Sequence, residues 1–113
     1  RVLLVAEDDA GIIVGTVQLM LDQPENQPHR ADLAKMLVQR RARRQGIAER
    51  LMRAAEDAAR EAGKTLLVLD TVTGGDAERL YARLGWQRVG SIPDYAQFPQ
   101  GGLCATTYFY RTL

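Results

Sequence analysis

Valine, isoleucine and leucine crowd two stretches near the start of the chain, Arg1 to Glu7 and Ile12 to Leu21, separated by the turn-forming cluster Asp8-Asp9-Ala10-Gly11. Two such runs joined by so short a polar cluster predict a β-hairpin. The next stretch, Asp22 to His29, is polar and contains two prolines, which predicts a loop. Strand character returns over Arg30 to Val38, where alternation sets Leu33 and Leu37 on one face and Met36 and Val38 on the other. From Ile47 the period lengthens. Ile47, Leu51, Ala54, Ala55, Ala58 and Ala62 recur at helical spacing, with Glu49, Arg53, Asp57 and Arg60 between them. Gly63 suits the position just past the end of that helix.

Thr65 to Asp70 holds the apolar run Leu66-Leu67-Val68-Leu69, which predicts a strand covered on both faces. Strand, helix and strand in this order imply a right-handed crossover between parallel neighbours. Ala77, Leu80, Tyr81 and Leu84 predict a second, short helix, with Asp76 as its N-cap and Gly85 just past its end. Trp86 to Ile92 reads as a strand, Pro93 to Gly102 as a loop, and Ala105 to Arg111, rich in Thr, Tyr and Phe, as a final strand. The alternation of strands and helices defines an α/β chain with no internal repeat.

A length of 113 residues suits a single domain over residues 1–113. With 46% hydrophobic and 26% charged residues the composition is that of a globular protein, not a disordered one. The longest nearly uncharged stretch, Gly11 to Leu21, is interrupted by Gly15, Thr16 and Gln18 and falls short of the roughly 20 residues a membrane span needs. A net charge of +1 provides no field that would draw nucleic acid or a membrane to the whole molecule. Cys104 is the one cysteine and His29 the one histidine, which excludes an internal disulfide and a Cys/His metal cluster and makes a reducing cytoplasm the expected location. Arg1 leads straight into an apolar run without an initiator Met or the layout of a signal peptide.

Charge is concentrated in one place. Gln39-Arg40-Arg41-Ala42-Arg43-Arg44-Gln45-Gly46-Ile47-Ala48 joins the third strand to the long helix, so its backbone amides lie at a helix N-terminus. Such amides lack intrahelical partners and sit at the positive end of the helix dipole, which suits a phosphate group. Gly46 permits close approach of backbone to ligand, and Ala48 keeps the first turn narrow. The segment lacks the Gly-Lys-Ser/Thr of nucleotide triphosphatases and the Gly-x-Gly-x-x-Gly of dinucleotide sites. A run of arginines can be no more than a solvated face. Its position beyond the carboxyl end of a strand favours pyrophosphate binding instead.

These residues carry a resemblance. Arg43-Arg44-Gln45-Gly46-Ile47-Ala48 matches the Gln/Arg-x-x-Gly-x-Gly/Ala signature of the GNAT superfamily of acyl-CoA-dependent N-acyltransferases. Ala77-Glu78-Arg79-Leu80-Tyr81-Ala82-Arg83-Leu84-Gly85-Trp86 is similar to that family's later Ala-x-x-Leu-Tyr-x-Lys-Leu-Gly-Phe stretch. The two motifs stand in the family's order, and the likeness covers essentially the whole chain. Leu69-Asp70-Thr71, Arg88-Val89-Gly90, the turn from Pro93 to Tyr95 and the ending from Tyr108 to Leu113 resemble the tabtoxin-resistance type of acetyltransferase in particular. The chain departs from the family where Arg40 replaces a frequent Pro, Arg44 a frequent Gly, and Gly74 a frequent Asn. The resemblance implies an α/β fold with a mixed, largely antiparallel sheet, a central parallel strand pair and flanking helices. It also implies an opening strand and two helices with no counterpart before Arg1, roughly 50 residues by typical helix lengths, so an N-terminally incomplete domain is expected.

The activity implied is transfer of an acetyl group from acetyl-CoA directly to a small-molecule or peptidyl amine. Acetyl-CoA is then a co-substrate, no metal, nucleic acid or membrane takes part, and a homodimer is compatible with the family. Arg43, Arg44, Gln45, Gly46, Ile47 and Ala48 would hold the pyrophosphate. Backbone amides of Met36, Leu37 and Val38 would hold the pantetheine arm and the thioester carbonyl, since GNAT folds splay this strand from its neighbour. The chemistry needs a neutral amine, a donor for the oxyanion and a proton for the leaving thiolate.

Asp32 stands where several family members carry a base carboxylate, although an ordinary exposed strand Asp is the competing reading. Asp70 ends the most apolar strand, where a charge is costly unless paired or wet, and serves either to cap the next turn or, by the tabtoxin-type likeness, to bind or deprotonate the amine. Tyr81 faces the core side of its helix, where packing of its ring is the competing reading. The family likeness sets it beside the coenzyme sulfur, where a phenol of ordinary pKa about 10 can protonate a thiolate whose acid is near about 8.5. Cys104 has no sequence neighbour that would activate it and reads as a small buried residue. Two other classes stand beside the enzyme: a CoA-binding sensor without turnover, and a nucleic-acid-binding domain using Arg40 to Arg44. The second lacks interleaved aromatics and a basic balance.

Overall fold

A computed structural model describes residues 1–43 and 45–113; the contact expected of Arg44 lies outside the described residues. The elements follow in the order β1 (Val2–Glu7), β2 (Ile13–Met20), β3 (Arg30–Val38), α1 (Ile47–Glu61), β4 (Leu66–Val72), α2 (Asp76–Arg83), β5 (Gln87–Gln97) and β6 (Leu103–Thr112), with a 3₁₀ turn over Arg40–Ala42 before α1. The strand order is β1-β2-β3-β4-β6-β5, a mixed α/β sheet. The chain divides into two compact units, one of Arg1–Leu67 with Thr112–Leu113 and the other of Val68–Arg111. Among the described residues no helix is long and apolar enough to cross a membrane.

In the first unit β1, β2 and β3 form an antiparallel meander, with Leu4 opposite Val17 and Leu19 opposite Leu33. The turn from β1 to β2 closes on Asp8, whose Oδ1 accepts the amides of Ala10 and Ile12, each at 2.9 Å. Val14, Val17, Leu19 and Leu33 are buried together with Ile47, Leu51, Met52, Ala55 and Ala59 of α1. Helix and strand come close because β2 carries Gly15: a Cβ there would lie 3.0 Å from Leu51 Cδ1 and 3.1 Å from Ile47 Cγ2. The inward stripe of α1 differs from the expected one, since Ala54 and Ala62 are exposed and Met52 and Glu56 are buried. Alanine suits either face, so the larger Leu51 and Met52 set the direction of burial. The amides of Thr65 and Leu66 both donate to the carbonyl of His29, at 2.8 and 3.3 Å, so β4 begins beside the start of β3.

The face expected of Leu37 is overturned. Leu33 is buried but Leu37 is 67% exposed. From Thr16 opposite Leu37 to Gln18 opposite Ala34, two steps along β2 match three along β3, so β3 contains a bulge, and Lys35 within it adopts φ +56. One extra residue reverses every later side chain of the strand.

In the second unit β5 and β6 form a long hairpin. β5 runs on through Pro93 to Gln97, so only residues 98–102 form the connection where a loop from Pro93 was expected. Irregular pairing between Ile92 and Ala96 admits the proline, which would break a regular ladder. Asp76 opens α2 rather than capping it; Gly75 holds the cap position, and the Asp76 carboxylate pairs with Arg79 instead. β4 alternates along its length, with Leu67 and Leu69 buried, Val68 half-buried and Asp70 exposed, in place of cover on both faces. The run of leucines conceals a period of two that the pleat imposes.

Candidate functional site

The connection from β3 to α1 is tied down at several points. The Gln39 amide donates to the Val14 carbonyl at 2.7 Å, and its side-chain Nε2 to the Ile13 carbonyl at 3.1 Å. Arg41 Nη2 reaches Asp8 Oδ2 at 3.0 Å, which anchors the basic turn to the β1–β2 hairpin. The Ile12 amide first, and then Arg41, hold the Asp8 carboxyl below the usual carboxylate range. Arg43 Nε donates to the Val38 carbonyl at 3.4 Å. Gly46 then takes φ +74, a left-handed conformation that turns the chain into α1, and the first helical bond runs from the Arg50 amide to the Gly46 carbonyl at 3.1 Å. Ile47, Ala48 and Glu49 therefore present amides with no intrahelical acceptor, at the positive end of the dipole. A Cβ at Gly46 would meet nothing within 4 Å, so among the described residues nothing crowds that side of the turn into α1.

Gln45 and Ile47 also line a cavity of about 490 Å³ together with Asp8, Arg41, Arg50 and Leu51. Arg50 Nη2 donates to the Gln45 carbonyl at 3.1 Å, which ties its guanidinium to the turn before α1. The arrangement can bind a polyanion through amides and guanidiniums together.

Asp32 lies on β3 opposite Met20, and Arg30 Nη1 pairs with its Oδ1. Met36, Leu37 and Val38 follow the bulge, which aims Leu37 at solvent and sets Met36 and Val38 half-buried.

The second unit holds the other two expected residues. Tyr81 is buried on α2, its ring edge-on to Phe109 at 5.9 Å and tilted against Trp86 at 6.2 Å. Burial pushes its phenol up to about 12. Asp70 sits two residues inside β4, exposed, with Oδ2 accepting the Thr106 hydroxyl at 2.8 Å. Thr106 is itself buried and also lies 3.0 Å from the Thr71 carbonyl. This orienting threonine is a residue that sequence reasoning missed; only the alternation of β6 hinted at its face. Gly74, where the family often has Asn, donates its amide to Glu78 and lines a cavity of about 370 Å³ with Trp86 and Arg88. Cys104 Sγ donates to the Ala96 carbonyl at 3.5 Å, a contact within the hairpin that gives it no base. Among the described residues no group of three His, Cys, Asp or Glu side chains is placed to hold a metal ion.

A mixed sheet in which a strand and a basic turn lead into a helix N-terminus offers a place for an anionic ligand beyond the strand end. Residues 1–88 match the acetyltransferase (GNAT) domain, and the chain belongs to that family. Among solved structures it is similar to a ribosomal-protein-alanine N-acetyltransferase from Brucella melitensis, with 26% identity, a TM-score of 0.85, and coverage of 98% of this chain and 68% of that one. It is also similar to a GCN5-related N-acetyltransferase from Kribbella flavida, at 25% identity and a TM-score of 0.84 over 98% of this chain and 67% of that one. The yncA protein of Salmonella typhimurium, solved with its cofactor acetyl-CoA, shares the fold at 20% identity and a TM-score of 0.85, over 98% of this chain and 64% of that one.

Proposed function

We propose that the chain transfers an acetyl group from acetyl-CoA to a primary amine. The observation that carries this reading is the left-handed Gly46, which turns a basic segment into a helix whose first amides are open to an anion, in a chain of the GNAT family. Arg43, Arg44, Gln45, Gly46, Ile47 and Ala48 hold the diphosphate. Backbone groups of Met36, Leu37 and Val38, beyond the bulge, hold the pantetheine arm and the thioester carbonyl. Acetyl-CoA supplies a thioester whose carbonyl carbon a neutral amine attacks.

Asp70 takes the proton of the bound ammonium. The narrower likeness to the tabtoxin-resistance type belongs to this proposal, because it is what gives Asp70 the acceptor. Asp32 is the alternative base, but the Arg30 guanidinium holds one of its oxygens, whereas Asp70 keeps Oδ1 open. As the nitrogen–carbon bond forms the carbon–sulfur bond breaks, and the Tyr81 hydroxyl donates to the departing sulfur. Starting from the ammonium the nitrogen loses two protons, one to Asp70 and one as the amide forms; the second restores the thiol of CoA, whose departing sulfur the Tyr81 hydroxyl holds by a hydrogen bond, so no further reactant is needed. Cys104 forms no acyl-enzyme, since its thiol faces a backbone carbonyl.

Calorimetry with acetyl-CoA tests the reading. Binding is expected in the parent, weakened by about 1–3 kcal/mol in Arg43→Ala and in Arg44→Ala. No binding in the parent overturns the proposal, and binding without acetylation of any amine would make the chain a sensor.

A further inference from the structure

The strands of the second unit turn two different faces outward and inward. Thr107 and Phe109 of β6 are buried, so Thr106, Tyr108 and Tyr110 between and beside them lie on the opposite face. Asp70 belongs to that face because its Oδ2 accepts the Thr106 hydroxyl, and Ile92 belongs to it because β5 pairs it with Thr106. Tyr95 reaches the same face from the irregular part of β5: its hydroxyl bonds that of Tyr108 at 2.8 Å, and the rings stand edge to face at 6.1 Å and 89°. Ile92, Tyr95 and Tyr110 are 44%, 47% and 39% exposed.

One exposed carboxylate thus shares a face with phenol rings and an isoleucine. Thr106 holds one of its oxygens from below and leaves the other free. The negative π faces of the rings and the carboxylate attract a cation together, while the apolar ring and side-chain surface favours a ligand with an apolar body. Three of this unit's four arginines are engaged elsewhere: Arg79 pairs with Asp76, Arg88 turns to Glu78 and Arg111 donates to the Leu84 carbonyl.

We propose that this face receives the acceptor, a primary amine carried on an aromatic or aliphatic body with no carboxylate beside it. Its ammonium sits at Asp70 and its body lies on the Tyr95–Tyr108 pair and Ile92. A carboxylate adjacent to the ammonium would face Asp70 with like charge. The inference rests on the acetyl-transfer reading for its chemistry, but binding is measured apart from turnover.

The test uses 2-phenylethylamine and phenylalanine, which share ring and amine and differ by the carboxylate. Titrated into the CoA-saturated chain, 2-phenylethylamine is expected to bind at least about tenfold more tightly than phenylalanine. Tyr95→Ala, at an exposed position, is expected to raise its Kd and KM about tenfold while leaving KM for acetyl-CoA unchanged, and Tyr95→Phe, which keeps the ring, to retain most of the binding. Circular dichroism verifies that both variants fold. Equal affinity for the two amines, no binding of either, or an unchanged Kd in Tyr95→Ala overturns the inference. Tight, Tyr95-dependent binding without acetylation upholds the face and overturns acetyl transfer. Acetylation of phenylalanine as efficiently as of 2-phenylethylamine does the reverse.

Discussion

Tyr81 shows how burial alters the task a residue can perform. With its phenol pushed up to about 12, it keeps its proton throughout the neutral range and is a donor, never a base. It is also a weaker acid than an ordinary tyrosine: outright transfer to a thiolate whose acid is near about 8.5 is uphill by roughly 5 kcal/mol. In the proposed reaction its contribution is therefore a hydrogen bond to the departing sulfur. Tyr81→Phe should retain acetyl-CoA affinity by calorimetry and lower the turnover rate by about 10²-fold, the lower end of what acid–base groups supply. The same shift affects stability. An unfolded phenol ionises near about 10 and the folded one near about 12, so in that window the unfolded state binds fewer protons and stability falls as pH rises. Urea unfolding at about pH 9 and about pH 11 should show the parent losing more stability than Tyr81→Phe, by up to about 1.4 kcal/mol per pH unit. Identical losses would contradict a shift due to burial.

At the scale of elements, two positions in the first unit determine how β3 and α1 are presented. Lys35 holds the bulge of β3 in a left-handed conformation that glycine adopts without cost and a β-branched residue resists. Lys35→Val should lower stability by about 1–3 kcal/mol while Lys35→Gly does not, as read from denaturant midpoints. Equal midpoints would mean that the bulge relaxes elsewhere. Gly15 is the counterpart on β2. A methyl there meets Leu51 and Ile47 at 3.0 and 3.1 Å and the Leu37 carbonyl at 3.3 Å, so either α1 lifts or the strand shifts. Gly15→Ala is expected to cost about 1–3 kcal/mol in thermal or urea unfolding. Because Ile47 opens α1, the variant should also weaken acetyl-CoA binding, a coupling that a purely local clash would not produce.

For the whole molecule, ligand binding and stability are linked. Acetyl-CoA at about one hundred times its Kd should stabilise the chain by about 2.7 kcal/mol, a rise in Tm of about 10 °C or more at this size. Gly46→Trp should abolish the rise. Gly46→Ala carries the same left-handed strain without the bulk and should retain it, which separates blocked access from a disturbed turn. The nearly balanced charge of +1 makes tight, salt-sensitive binding of duplex DNA an unexpected result, and observing it would redirect the basic turn to another partner. Much of this could be read from the chain alone. The bounds of β3, the turn at Asp8 to Gly11, the change of period at Ile47 and the glycine at the helix entrance are local signals, carried by neighbours a few positions apart, and the family resemblance rested on two short motifs, Arg43 to Ala48 and Ala77 to Trp86. The faces were decided in three dimensions. Alternation along β3 could not reveal the bulge that reverses Leu37, because a bulge is defined by the register of a partner strand. Alanines on both sides of α1 hid which stripe packs inward. Thr106 beneath Asp70 and Tyr95 beside Tyr108 come from distant stretches of sequence, and their chemistry exists only once the pairing of β5 and β6 brings them to one face. A residue's type and its near neighbours determine which element forms; which groups meet depends on register and packing, and those belong to the folded chain.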